Sequence, residues 1–175
     1  MENEKPHILY VDDEEHNLIS FRAAFRKHYT IHTANSAKEG ISLLNEFPVS
    51  LIITDQRMPE MTGVQFLETV IPEHPDVIRM ILTGFSDVED IIKAINTGRV
   101  YRYITKPWDE NELKMTIDLA LESFHLRTHN FQMLETLQSI YDNNSDIIAI
   151  LEPDGKFRNC NASVKAALGY EPAEM

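Results

Sequence analysis

Five side chains in this 175-residue chain are of types that move charged groups: Asp12, Asp13, Asp55, Thr83 and Lys106. Each stands at or just past the end of a short apolar run, in HILYVDD (7–13), VSLIITD (49–55), DVIRMILTG (76–84) and YRYITKP (101–107). Carboxylates gathered in one pocket repel one another unless a cation is present. A small hard cation suits such oxygen donors, and Mg²⁺, with Mn²⁺ as a substitute, keeps several waters while binding two or three carboxylates. Lys106 adds a mobile positive charge and Thr83 a hydroxyl donor. A carboxylate flanked in this way is arranged to accept a phosphoryl group. Metal and lysine would neutralise the equatorial oxygens while Asp55 attacks in line, giving an aspartyl phosphate.

Singly, each residue has a plainer use. Asp12 and Asp13 can cap a following helix, Asp55 can be a turn residue, Thr83 can end a strand, and Lys106 can be a solvated lysine. What joins them is the elements that would carry them. The apolar runs alternate with amphipathic segments: EEHNLISFRAAFRKH (14–28), AKEGISLLNEF capped by Ser36 with Glu39 completing a capping box, Gly63 to Ile71, and SDVEDIIKAINTG between a Ser86 cap and Gly98. With YTIHTA (29–34) as a further strand, strand and helix alternate five times. That predicts an α/β fold, a parallel sheet with right-handed crossovers and helices on both faces. In such a sheet the loops after the strand C-termini share one edge, where ligands bind. The five residues converge there, although Asp12 and Lys106 are far apart in the chain.

Composition narrows the class. The chain is 43% hydrophobic and 25% charged, the balance of a globular protein rather than a disordered one. Its net charge of -12 argues against this chain gripping nucleic acid by itself. No apolar run has the length of a membrane span and no signal peptide opens the chain, so a cytoplasmic location with no membrane contact is expected. Cys160 is the sole cysteine and has no disulfide or zinc-site context.

From Glu110 helical text continues to about residue 141. Ala120, Phe124, Phe131, Leu134 and Tyr141 recur at spacings of three and four, interrupted by Arg127 and Gln138. They predict either a self-associating, coiled-coil-like helix or the last domain helix followed by a solvated linker. After it, IIAIL (147–151) and KFRNC (156–160) flank a PDG turn and read as a strand pair, with a short helix over 161–168. So short a segment cannot bury its own core, and it reads as the opening of a domain cut short.

The texts YVDDE, TDQRMPEMTG, MILTGFSD and YITKPW together closely resemble the receiver domain of bacterial two-component response regulators, over residues 6 to about 125. The resemblance implies a flavodoxin-like (βα)5 doubly wound sheet of order 2-1-3-4-5. It also implies Asp55 as phospho-acceptor and Asp12, Asp13, Asp55 and the backbone carbonyl of Arg57 as the metal set. Thr83 and Tyr103 would be the switch pair, Lys106 the phosphate-binding lysine, and Lys106–Pro107 a cis peptide bond. The donor would be a histidine kinase or phosphotransfer protein. The response would be a change in the surface of the fourth helix, fifth strand and fifth helix, with homodimerisation through that region and the linker helix. Such a domain catalyses its own phosphorylation and dephosphorylation only in a limited sense and is not a conventional enzyme. Arg57 and Phe85 occupy positions that in this family tune phosphate lifetime, and here imply a long one. A docking module of the same fold that is never phosphorylated is the alternative, although docking alone needs none of these five residues together. The tail resembles the start of a PAS sensory domain in its Asp-Gly turn, Asn161 and the closing LGYEPAEM. The expected organisation is therefore a receiver domain over 1–125, a signalling helix over 126–141 and a PAS-like fragment over 142–175.

Overall fold

The computed structural model describes residues 5–84, 92, 95 and 100–169. The chain divides into two compact units, residues 1–126 and 127–175. In the first, β1 (His7–Val11), β2 (Thr30–Ala34), β3 (Val49–Asp55), β4 (Ile78–Thr83) and β5 (Arg102–Thr105) form one parallel sheet in the order β2-β1-β3-β4-β5. The order is the flavodoxin-like one expected.

Strand side chains alternate between faces, and the core is split accordingly. Ile8 and Tyr10 point to one side with Ile53 and Met80, where α1 (Glu15–Phe25) and the first turns of a long helix, α4 (Glu110–Asn143), cover them with Phe21, Phe25, Leu113 and Ile117. Leu9 and Val11 point to the other with Ile52 and Ile81, under α2 (Ala37–Glu46) and α3 (Gly63–Val70), which contribute Leu44, Phe66 and Leu67. Each such side chain taken wholly from water contributes about 1.5–3 kcal/mol. The near-continuous apolar text of β3 follows from this burial on both faces.

The caps differ in detail from expectation. Ser36 Oγ accepts from the Glu39 amide, but the Glu39 carboxylate reaches back to the Asn35 amide, one residue before the cap, so the predicted box is not closed. A complete capping box instead starts α3, where Thr62 and Gln65 exchange side-chain and backbone bonds. The predicted fourth helix with its Ser86 cap and Gly98 end, and Phe85 beside it, lie outside the described residues, apart from Ile92 and Ile95, which are helical.

The long helix starts with Asp109 accepting from the Asn111 and Glu112 amides and runs to Asn143, slightly past the predicted end. The stripe predicted along it is corrected at its start. Ala120 is fully buried and Phe124 packs against the same cluster, so both belong to the core of the first unit and are not offered to a partner helix. Local spacing cannot tell which face a domain has already covered.

The second unit holds the end of α4, an antiparallel pair β6 (Ala149–Leu151) and β7 (Phe157–Cys160), and α5 (Ser163–Leu168). Asn161 is buried among them. Its amide nitrogen donates to the carbonyls of Tyr141 and Asp146, and its side-chain oxygen accepts from the Ile148 amide.

Candidate functional site

The strand register brings the five residues to one lip. Val11 lies beside Thr54, Asp55 beside Leu82 and Thr83 beside Thr105, so Asp12, Asp55, Thr83 and Lys106 all stand at the C-terminal edge. There, Asp12, Asp13, Asp55, Arg57, Thr83 and Lys106 line a single cavity of about 240 Å³.

Its centre is the Lys106 ammonium, which donates to Asp55 Oδ1 at 2.5 Å and to Asp12 Oδ2 at 2.9 Å. Asp55 Oδ2 accepts from the Arg57 amide at 2.6 Å, so both oxygens of the Asp55 carboxylate are positioned. Asp12 is held more heavily. It accepts from the Tyr10 hydroxyl at 2.6 Å, from the Asn17 amide group at 3.0 and 3.1 Å, and from the Glu14 backbone at 3.0 Å. Thr83 is buried and its hydroxyl donates to the Gly84 carbonyl, while its own carbonyl accepts from the Lys106 amide. The Lys106–Pro107 peptide bond is cis. Tyr103 is half-buried against the cluster that contains Ile81 and Val100.

The two carboxylates are therefore electrostatically unequal. Burial would raise the Asp12 carboxyl, but bonds from Tyr10, Lys106 and Asn17 outweigh it and hold it below its ordinary value. At Asp55 burial prevails over the Lys106 and Arg57 bonds, and the nearby Asp12 charge adds to it, so its carboxyl lies above its ordinary value. Burial pulls Lys106 down, yet its bonds to both acids leave it raised. One ammonium shared by two carboxylates leaves the set net negative, and Asp55, with fewer donors, carries the cost.

The expectation of three carboxylates drawn around a cation meets a different arrangement. Among the described residues no three His, Cys, Asp or Glu side chains are gathered into a metal-holding group. Lys106 stands between Asp12 and Asp55, and the Asp12 oxygens are occupied by its four donor groups. The donor chemistry, carboxylates lining one cavity, nonetheless fits a hard divalent cation.

Sequence reasoning missed Tyr10, Asn17, Gln56 and the reason for Gly63. Tyr10 precedes Asp12 by two residues and so shares its side of the strand, a usable signal; burial and its bond to Asp12 push its phenol well up. The Gln56 side chain accepts from the Val64 amide and its carbonyl from the Gly63 amide, fastening the loop after Asp55 to the start of α3. A Cβ on Gly63 would stand 2.3 Å from the Asp55 carbonyl oxygen and 3.1 Å from Thr54 Cγ2. Gly63→Ala is therefore expected to force the backbone at Asp55 aside and lower stability by about 2 kcal/mol in urea unfolding. An unchanged midpoint would show that this backbone yields freely.

A family model, that of the response regulator receiver domain, matches residues 8–118. The chain is 38% identical over 123 residues to the hydrogenase transcriptional regulatory protein HoxA of Cupriavidus necator, a match covering 70% of this chain and 26% of that protein. It is 36% identical over 124 residues to the transcriptional regulatory protein GlrR of Escherichia coli, covering 70% and 28%. The chain thus spans about a quarter of the length of these curated relatives. Among solved structures, the signal receiver domain of an HD domain-containing protein from Pseudomonas fluorescens superposes with a TM-score of 0.68 at 35% identity, covering 74% of this chain and 96% of that one. A response regulator receiver domain protein from Clostridium thermocellum gives 0.66 at 28% identity, covering 69% and 98%. Among the described residues no helix is long and apolar enough to cross a membrane.

Proposed function

The chain belongs to the response regulator receiver domain family, and from that premise we propose that Asp55 is the residue that accepts the phosphoryl group. The observation that carries this reading is the Lys106 ammonium bonded to Asp55 and Asp12 together, in a cavity at the sheet edge. A carboxylate so placed has one oxygen beside a cation and the other fixed by the Arg57 amide. The donor is a phosphohistidine of a histidine kinase or phosphotransfer protein. An Asp55 oxygen attacks phosphorus, the P–O bond forms as the P–N bond to imidazole breaks, and the imidazole nitrogen leaves as a base that takes up a proton.

Asp12, Asp13, Asp55 and the Arg57 carbonyl would hold Mg²⁺ or Mn²⁺, which when bound supplies positive charge to the phosphoryl oxygens. Lys106 supplies the remaining cation from within the fold. Thr83, whose hydroxyl rests on the Gly84 carbonyl, turns to a phosphoryl oxygen, and Tyr103, half-buried beside Ile81, moves inward with it. The change is read at the β5 surface and along α4, and passes to residues 127–175, whose hairpin and short helix we read as the opening of a PAS-like domain.

The test is intact-mass analysis after incubation with acetyl phosphate, with and without Mg²⁺. One phosphoryl group per chain is expected, dependent on the metal and released by hydroxylamine as an acyl phosphate must be. No adduct under conditions that label an established receiver domain overturns the reading in favour of a docking module.

A further inference from the structure

Asp12 is a saturated acceptor. A carboxylate offers about four lone-pair directions, and Asp12 receives the Tyr10 hydroxyl, the Lys106 ammonium, the Asn17 side-chain amide and the Glu14 backbone amide. To hold a cation as well, it must release one of them. The four donors differ in how they can leave. The Glu14 amide belongs to the backbone that begins α1, and Asn17 spans both carboxylate oxygens at 3.0 and 3.1 Å. The remaining two, Tyr10 at 2.6 Å and Lys106 at 2.9 Å, share the same oxygen, Oδ2.

Tyr10 is fixed where it stands. It is 1% exposed, its ring stacks on Phe21 with centroids 4.2 Å apart, and Ile8, Ile53 and Met80 belong to the same cluster. A hydroxyl turned from Asp12 there would lose its acceptor in a place that water does not reach, and would bear the full cost of its desolvation. Lys106 is free to move. It is half-buried and keeps Asp55 as a second partner. It lines the cavity of the site and also a neighbouring one of about 450 Å³ beside Pro107 and Trp108. Lys106 can therefore leave Asp12 and stay paired, whereas Tyr10 cannot. We propose that Tyr10 is a positioning residue of the phosphoryl-transfer site: its hydroxyl keeps one place on Asp12 Oδ2 filled, so that Asp12 takes up a divalent cation only in exchange for Lys106.

This inference rests on the reading of Asp12 as a cation-holding residue and adds to it a residue outside that set. Packing alone does not need the hydroxyl, since phenylalanine would fill the same space against Phe21. What the hydroxyl adds is a competitor built into the strand. It holds cation affinity down, and it couples cation uptake to release of the lysine. Lys106 then turns wholly to Asp55 and the phosphoryl oxygens only when Asp12 has exchanged it. Without the hydroxyl, Oδ2 has a direction to spare, and Asp12 can hold a cation while keeping Lys106.

Tyr10→Phe tests it, by titration calorimetry of the whole chain with Mg²⁺ and Mn²⁺ in the absence of a phosphoryl donor. The dissociation constant is expected to fall about tenfold, equal to about 1.4 kcal/mol and of the order of one hydrogen bond to a charged group. A residue that merely supported the site would weaken binding when cut back, so a gain in affinity is the signature of a competing donor. Tyr29→Phe is the control. Tyr29 is also buried and its hydroxyl also donates to a carboxylate at 2.6 Å, that of Asp118, but it stands just before β2 at the other edge of the sheet. Its loss is expected to leave cation affinity unchanged, and far-UV circular dichroism of both variants to match wild type. A Tyr10→Phe chain that binds the cations as wild type does, or more weakly, overturns the proposal, and so does an equal gain in Tyr29→Phe. If wild type itself binds neither cation, the cation-holding role of Asp12 fails and this inference falls with it; wild-type binding that Tyr10→Phe does not strengthen removes this inference alone.

Discussion

Asp55→Asn is expected to take up no phosphoryl group from acetyl phosphate and, at neutral pH, to melt above the wild type. The first part follows from chemistry: an amide oxygen is too weak a nucleophile, and Asp12, which also bonds Lys106 and a loop amide, has its oxygens further taken up by Tyr10 and Asn17. The second follows from the sign of the Asp55 shift. Its carboxyl is raised by burial beyond what Lys106 restores, so the folded state holds the proton more tightly than the unfolded chain. Ionisation of Asp55 therefore works against folding, and it does so increasingly as pH rises through the folded value. Neutral asparagine removes that penalty. The gain should be a measurable rise in Tm at pH 7 and should vanish well below the ordinary carboxylate range, where Asp55 is protonated in both states. Thermal melts at pH 7 and at about pH 2.5 check this, and a variant less stable than wild type at pH 7 would show that Asp55 is held by more than it repels.

Lys106→Met acts in the opposite direction. It removes the single ammonium between Asp12 and Asp55 and leaves two buried carboxylates facing a shared cavity. Losing one partner of such a set costs about 3 kcal/mol, because the charges left behind are unpaired. Without the ammonium both carboxyls bind protons more tightly in the folded state, so the deficit should be largest at neutral pH and shrink as pH falls. Adding Asp55→Asn should recover most of the loss, and the coupling is measurable as a double-mutant cycle in urea. Phosphoryl uptake by the single variant should slow by about a hundredfold or more, the usual cost of removing one fixed cationic donor from a developing charge. Equal unfolding midpoints for wild type and Lys106→Met at neutral pH would count against the bridge.

The residues of the site that were legible in the sequence are those whose position alone decides their role. Asp12, Asp55, Thr83 and Lys106 end apolar runs, and a parallel sheet sends all such ends to one edge. Asn17 was not, because its part depends on which way its side chain turns after the helix docks, whereas Tyr10 was within reach, two residues before Asp12 and on its side of the strand. Glu39 failed for a related reason: a carboxylate chooses between two neighbouring amides by fractions of an ångström. Along α4 periodicity registered apolar residues without registering which already had a partner. Ala120 and Phe124 are claimed by the sheet domain, and only the burial pattern separates them from Leu119 and Leu126.

Asn161 has a mechanical consequence. Through one side chain it is bonded to the last turn of α4 at Tyr141, to the following loop at Asp146 and to Ile148 just before β6, while its own amide donates back to the Ile148 carbonyl. Ser163 adds a further bond to the Asn144 carbonyl. The helix end and the hairpin are thus keyed together like a shaft and a hub. Within the second unit, a displacement of the last turn of α4 therefore pulls directly on the residues that lead into β6.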